Sequence, residues 1–316
     1  MRQFTLIGHP LGHSMSPFIH ERLFRLAGMD AAYSLTDIPP EGLADAVPGL
    51  RTLRGFNVTI PYKTDILPFL AGMDEGAARY GSVNTVSVTE DGQLFGHNTD
   101  CAGFLHSVGE IPAGSRVLLI GCGGVGRMMA TEVYLHGAAL TIVERDHARA
   151  EALAAELPER FPEAGGTVRV CDTAPDEPFA LLMNATPVGM YPKGDACPVG
   201  EDVIARCDRV FDVIYNPTET LLMRRARALG KPAVGGAAML VWQAAVAEQI
   251  WNGVTFREED IEALIREMEA EVDRQFQEKC SGGAAIRNSV PERHRGLETA
   301  TRDHVGVCIL IKTAPR

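Results

Sequence analysis

The first hundred residues alternate between short runs whose apolar positions recur every second residue and longer runs with helical spacing. "QFTLIG", "AAYSLTDI" and "GFNVTIP" read as strands; "SPFIHERLFRLAG" and "EGLADAVPGL" read as helices. Ser16 is placed to cap the first helix, Pro17 suits its first turn, and Gly28 suits its end. Strands separated by helices of this length predict βαβ units and a mostly parallel sheet. "TVSVTEDGQLFGHNTD" is different: two alternating runs meet around Asp91-Gly92, a strong hairpin signal. It predicts a hairpin edge that closes a first domain.

From Ser115 the pattern restarts. "RVLLIG" and "ALTIVERD" read as strands, and "GGVGRMMATEVYLHG" and "ARAEALAAELPERF" as the helices after them. "TVRVCD", "ALLMNATPVGM" and "RVFDVIYNP" read as further buried strands, and "TETLLMRRARALG" as a helix. This is a doubly wound nucleotide-binding layout. Beyond "PAVGGAAML" come two helical stretches, "VWQAAVAEQIWNG" and "REEDIEALIREMEAEVDRQFQEK". From Cys280 the period is lost, and residues 280–316 read as a disordered tail, with a short docked strand as the alternative.

A chain of 316 residues exceeds what one hydrophobic core usually supports, so two domains are expected. The formal charge of −11 argues against a nucleic-acid or anionic-membrane partner, while a small anionic ligand needs only local cations and helix N-termini. No apolar run approaches the ~18 to 20 residues of a membrane span, and the N-terminus lacks a signal-peptide pattern, so the expected location is cytoplasmic. The seven cysteines include no C-x-x-C pair, which predicts reduced thiols and no zinc site.

"GCGGVG", Gly121 to Gly126, fits G-x-G-x-x-G between a strand and a helix. There Gly121, Gly123, Gly124, Val125 and Gly126 would bring backbone against a pyrophosphate at the helix N-terminus. Such turns also occur for close packing alone; the doubly wound context favours a dinucleotide. The next strand ends in Glu144-Arg145-Asp146. Glu144 suits a free ribose 2′-hydroxyl, as in NAD, whereas Arg145 and Arg149 suit the 2′-phosphate of NADP.

A hydride-transferring cofactor needs a protein group to move the proton on the same carbon's oxygen. The candidates are Lys63, Asp100, Tyr62, Tyr215 and several histidines. Lys63 and Asp100 each follow a strand, and parallel sheets place ligands at the carboxyl ends of strands. A surface ion pair is the plain alternative for any one lysine and aspartate.

The motifs "GHPLGHSMSPFIH", "NVTIPYK", "GSVNT", "HNTD", "GCGGVG", "NATPVGM", "DVIYNP" and "GGAAMLVWQ", in this order, resemble the shikimate dehydrogenase family, including quinate/shikimate dehydrogenases. The resemblance spans Phe4 to about Glu278. It implies an α/β protein with an N-terminal substrate domain, residues 1–102, and a Rossmann-type NAD(P)-binding domain, residues 103–236. C-terminal helices, residues 237–279, would return to the first domain. The implied reaction is reversible reduction of 3-dehydroshikimate to shikimate with NADP, NAD being the alternative that Glu144 favours, in a monomer or homodimer.

By position, the resemblance makes Lys63 the catalytic lysine and Asp100 its partner. Ser14 and Ser16 would bind the substrate carboxylate; Thr59, Asn84, Asp100 and Gln243 the ring hydroxyls; Tyr215 the substrate side. Thr186, Ile214 and Gly236 join the glycine loop, Glu144, Arg145 and Arg149 as cofactor positions. His9, His13 and His97 read as supporting groups. No metal is implied.

Overall fold

A computed structural model of the chain describes residues 1–12 and 14–287. The first sheet forms from β1 (Arg2–Gly8), β2 (Ala31–Asp37), β3 (Gly55–Val58), β4 (Gly72–Met73), β5 (Thr85–Val88) and β6 (Leu94–His97). The helices α1 (Ser16–Leu26), α2 (Leu43–Leu50), α3 (Tyr62–Asp65) and α4 (Glu75–Tyr80) intervene. Strand order is β2-β1-β3-β5-β6-β4, with β1 parallel to both β2 and β3. The predicted hairpin is present as β5 and β6, with Thr85 opposite His97 and Gly92 at φ +77° in the turn. It is not the sheet edge, however. β5 pairs antiparallel with β3, and the two-residue β4, too short to show a period, lies outside β6.

Met15, not Ser16, occupies the N-cap of α1, and Ser16 is already helical. The expected capping role is thereby corrected: once Ser16 has helical backbone angles, its hydroxyl is turned from the first-turn N–H groups.

Helix α5 (Asp100–Val108) leads to the second sheet, built of β7 (Arg116–Ile120), β8 (Ala139–Val143), β9 (Thr167–Cys171), β10 (Leu181–Asn184), β11 (Val210–Asp212) and β12 (Ala233–Gly235). The helices here are α6 (Gly124–Leu135), α7 (His147–Arg160), α8 (Glu201–Ala205) and α9 (Leu221–Ala228). All pairings are parallel, in the order β12-β11-β10-β7-β8-β9. Counted from β7, that is the 3-2-1-4-5-6 arrangement of dinucleotide-binding sheets, reversing direction between β7 and β10. β9 is half-exposed, contrary to the expected buried strand, because it is the sheet edge and covered less fully.

Two further helices close the chain: α10 (Gly236–Asn252) and α11 (Glu258–Arg287). α10 begins five residues before the helical stretch starting at Val241, because Gly236 and the small residues after it carry no amphipathic signal. It joins the sheets: Trp251 near its end donates from Nε1 to the Val86 carbonyl of β5, 2.9 Å away. The Trp251 ring fills the space a Cβ on Gly55 would need. α5 packs against α10 through Gly103, where a Cβ would stand 2.6 Å from the Met239 carbonyl. α11 runs past the point where the sequence pattern stops, as each residue added to a formed helix gains a hydrogen bond. The rest of the expected tail, 288–316, lies outside the described residues, as does His13.

Among the described residues no helix is long and apolar enough to cross a membrane. The described cysteines 101, 122, 171, 197 and 207 are free thiols.

Candidate active site

β3 ends at Val58, before Pro61, and the chain then makes the single turn of α3. Tyr62 turns inward, fully buried, and donates to the Ile38 carbonyl. That makes it an anchor and removes it as a proton-transfer candidate. Lys63, the next residue, faces outward into the cleft, where its Nζ lies 2.6 Å from Asp100 Oδ2. Asp100 opens α5 just beyond β6, so its carboxylate also lies in the favourable field of a helix N-terminus. The lysine is 31% exposed and the aspartate 23%, enough for solvent and substrate to reach both.

Asn84 secures the other carboxylate oxygen, with Nδ2 2.8 Å from Asp100 Oδ1. The same amide meets Thr99 Oγ1 at 3.1 Å and Gln243 Oε1 at 3.3 Å, while its Oδ1 accepts from the Thr99 N–H at 2.7 Å. Thus three segments distant in sequence, around Asn84, Asp100 and Gln243, converge behind Lys63. At the opposite end of the cleft Ser14 Oγ donates to Ser16 Oγ at 3.2 Å. Asp37 shapes that loop by accepting from the Leu11 N–H and meeting His9 Nδ1 at 2.6 Å, which hold its carboxyl below the usual range.

These groups line one cavity of about 400 Å³. Ser14, Ser16, Thr59, Lys63, Asn84, Asp100, Tyr215 and Gln243 all border it, and so do Gly124, Val125 and Gly236 from the cofactor candidates. Asn57, Tyr80 and Arg127 also contribute, none of them singled out from the sequence as site residues. No described histidine does. His97 instead bridges Ser87 and Asp74, His9 pairs with Asp37, and His106 stacks on Trp242 with ring centroids 4.2 Å apart.

Gly121, Gly123, Gly126, Glu144, Arg145, Arg149, Thr186 and Ile214 lie off this cavity, around the carboxyl ends of β7, β8, β10 and β11. The fit of this region to a dinucleotide can be tested on its glycines. At Gly121 φ is +88° and a Cβ would stand 2.6 Å from Thr186 Cγ2; at Gly126 it would stand 2.3 Å from the Gly121 carbonyl. At Gly124 a Cβ would meet nothing. The loop is therefore closed on its protein side and open at the start of α6, where Gly123 caps the helix without a side chain. Backbone N–H groups at such a helix end suit a pyrophosphate, and the residues fit the group.

Glu144 accepts from the Cys122 N–H at 2.9 Å and the Asp146 N–H at 3.0 Å. Burial opposes its ionisation, but these backbone donors prevail and its carboxyl titrates below the usual range. It thus braces the glycine loop, whatever ribose it meets. Arg149 reaches Asp146 Oδ2 at 2.8 Å, while Arg145 is exposed at the strand end.

Asp212 is a buried carboxylate that the sequence pattern does not single out. Asp212 ends β11 and accepts from Asn184 Nδ2 (3.0 Å), the Ile214 N–H (3.1 Å) and Thr220 Oγ1 (2.7 Å), fixing the loop that carries Ile214 and Tyr215. The available signal was a polar residue ending each of two neighbouring buried strands. Burial pushes the Asp212 carboxyl up to about 6. A raised carboxyl pKa contributes stability fully present below the unfolded value and lost as pH rises through the folded one. Relative to Asp212→Asn, the protein should therefore be more stable at pH 4.5 than at pH 7.5, by about 2 kcal/mol at ~1.4 kcal/mol per pH unit. Urea unfolding of both proteins at the two pH values measures the difference.

The glycine-looped parallel sheet, the second α/β unit beside it and a lysine–carboxylate pair in the cleft between them define a two-domain dinucleotide-dependent oxidoreductase. Residues 6–86 match the family model described as the shikimate dehydrogenase substrate binding domain. A shikimate dehydrogenase (NADP(+)) of Caldanaerobacter subterraneus is 37% identical over 269 residues, 83% of this chain and 96% of that protein. The structure of shikimate 5-dehydrogenase from Thermus thermophilus in complex with NADP(H) and shikimate is 33% identical. It covers 85% of this chain and 100% of its own, with a TM-score of 0.73. The Listeria monocytogenes enzyme in complex with shikimate and NAD is 28% identical over 84% of this chain and 96% of its own, also at 0.73. The chain belongs to the shikimate dehydrogenase family.

Proposed function

We propose that this protein reversibly reduces 3-dehydroshikimate to shikimate with NADPH, in the cytoplasm, as a monomer or homodimer. The observation that carries the reading is the Lys63–Asp100 pair, set in one cavity with the serine loop at one end and the start of α6 at the other. A bound nicotinamide supplies or takes the hydride. Lys63 donates a proton to the carbonyl oxygen as it becomes an alcohol, and recovers it in the reverse direction. Asp100 aims the ammonium through one carboxylate oxygen while Asn84 donates to the other. Ser14 and Ser16 present hydroxyls to the substrate carboxylate, and Thr59, Asn84, Gln243 and Tyr215 surround its ring. Apolar Met239, Leu240 and Val213 complete the wall and limit water at the reacting carbon.

Steady-state oxidation of shikimate and of quinate, each with NADP and NAD, tests this assignment. Turnover of shikimate with NADP is expected, and absence of turnover with either acid overturns the reading. Glu144 and Asp146 favour a second reading, an NAD-preferring quinate/shikimate dehydrogenase, since both acids disfavour a 2′-phosphate. Arg145 and Arg149 weigh against it, because charge-assisted contacts to phosphate outweigh repulsion that solvent screens. Arg149→Ala should accordingly lower kcat/KM with NADP by about 10- to 100-fold and leave it nearly unchanged with NAD. Equal losses with both cofactors would refute a phosphate-binding role for Arg149.

A further inference from the structure

Behind the cavity runs a buried chain of polar side chains with one end on Asp100. From Asp100 it passes to Asn84, then to Thr99 Oγ1 at 3.1 Å, to Thr85 Oγ1 at a further 3.1 Å, and to Asn57 Nδ2 at 2.9 Å. It ends where Asn57 Oδ1 accepts from the Tyr33 hydroxyl at 2.6 Å. Tyr33, Asn57, Thr85, Thr99 and Asn84 are all buried, with Asn57 and Asn84 also bordering the cavity. Tyr33 itself does not border the cavity.

The donors run in one direction from Tyr33 as far as Thr99, whose hydroxyl also receives Asn84 Nδ2 at 3.1 Å. Asn57 Nδ2 faces two acceptors, the Asn84 carbonyl at 3.1 Å and Thr85 Oγ1, so its Oδ1 must receive a proton. The Tyr33 hydroxyl supplies it. With Asn57 as its donor, Thr85 can give its own proton to Thr99, whose hydroxyl in turn faces Asn84 Oδ1 at 3.3 Å and Gln243 Oε1 at 3.4 Å. Bonds aligned in this way polarise one another in a low-dielectric interior. The Tyr33 ring is itself clamped face to face on His20, centroids 4.1 Å apart and 5° from parallel. His20 Nδ1 is paired with Glu248 Oε1 at 2.7 Å, and both side chains are fully buried.

We propose that Tyr33 is a positioning residue for proton transfer: its hydroxyl fixes Asn57, and through Thr85, Thr99 and Asn84 it holds Asp100 in place against Lys63. This rests on the assignment of Lys63 and Asp100 to the proton step. The other ionisable groups around Asp100 are the adjoining Cys101 thiol, which burial pushes up to about 11, Glu132 and Arg79 acting on that thiol, and Tyr80 and Arg127 across the cavity. Tyr33 faces His20 and Glu248, and its hydroxyl also meets the side chain of Ser16.

Tyr33→Phe keeps the stacked ring and deletes the donor, and Thr85→Val breaks the same chain one link beyond Asn57. With the full chain, shikimate and NADP, each variant should lose about tenfold in kcat, the equivalent of one neutral hydrogen bond, with KM for shikimate changed far less. The kcat–pH profile should change as well, since a loosened Asn84 holds the Lys63–Asp100 pair less well. Phe24→Leu, in the same apolar cluster as Tyr33 but with no place in the chain, is the control for simple loss of packing. It should lower the melting temperature and leave the profile in place. Tyr33→Phe with the control's kcat and pH profile overturns the proposal, whatever Thr85→Val does. A wild-type protein without shikimate turnover would instead overturn the parent assignment.

Discussion

Lys63→Ala is expected to lower kcat for shikimate oxidation by about 10³-fold, within the range of about 10²- to 10⁴-fold for a positioned acid–base group. KM for shikimate should change by less than about fivefold, because the ammonium acts on the oxygen whose charge changes in the transition state rather than on the ring as a whole. The geometry supports this asymmetry. Lys63 Nζ is bound to Asp100 at 2.6 Å, whereas in the proposed reading the carboxylate and ring would be held by the hydroxyls of Ser14, Ser16 and Thr59 and the amide of Gln243. Removing the lysine leaves all of these in place. The loss should be equal in kcat and kcat/KM, and initial rates over a range of shikimate concentrations at saturating NADP measure both. A variant with wild-type kcat, or one whose whole defect lies in KM, removes Lys63 from the proton step.

Lys63, Asp100 and the glycine loop were legible in the sequence because their positions follow from strand ends, whereas Ser14, Ser16, Thr59, Asn84, Tyr215 and Gln243 follow only from the family resemblance. Lys63 lies just beyond β3, Asp100 just beyond β6, and the glycine loop just beyond β7, and in each case apolar alternation stopping at a polar cluster marks the place. The polar side chains that hold them were not legible. Asn57 in β3 occupies a position that alternation alone assigns to a solvated face, and Tyr33, on the same face of β2 as Leu35, carries no local mark of a buried polar partner. Yet all four residues of β3 are buried, because α10 covers one face of the sheet while the other packs on its own helices. A polar residue in a strand covered on both sides must find a partner inside, and that partner is 24 residues away for Tyr33 and Asn57 and 228 for His20 and Glu248. No local pattern encodes such distances. The short elements β4, β12 and α4 escaped for a simpler reason: each spans less than two periods of its pattern, although α4 brings Tyr80 to the cavity wall.

Gly236→Ala should have the second large effect, through the backbone. Gly236 is the first residue of α10 and borders the cavity where a nicotinamide would meet the substrate. A Cβ there would stand 2.0 Å from the Val213 carbonyl oxygen and 2.6 Å from its carbon, both backbone atoms just beyond the end of β11. Neither can swing aside as a flexible side chain could, so α10 must move by on the order of 1 Å. That displacement is carried along a rigid helix to Gln243, whose Oε1 lies 3.3 Å from the amide that holds Asp100. A misplacement of this size costs about 10²-fold where reacting groups must be held in line, and kcat/KM for shikimate should fall by about that factor. The melting temperature should fall as well, since overpacking of this kind costs about 1 to 3 kcal/mol. Gly124→Ala is the matched comparison: its Cβ meets no protein atom, so folding should be unaffected and only the apparent affinity for NADP should weaken. Wild-type kcat/KM in Gly236→Ala would show that α10 yields at its first turn without moving Gln243, and the coupling of the two domains through this helix would have to be abandoned.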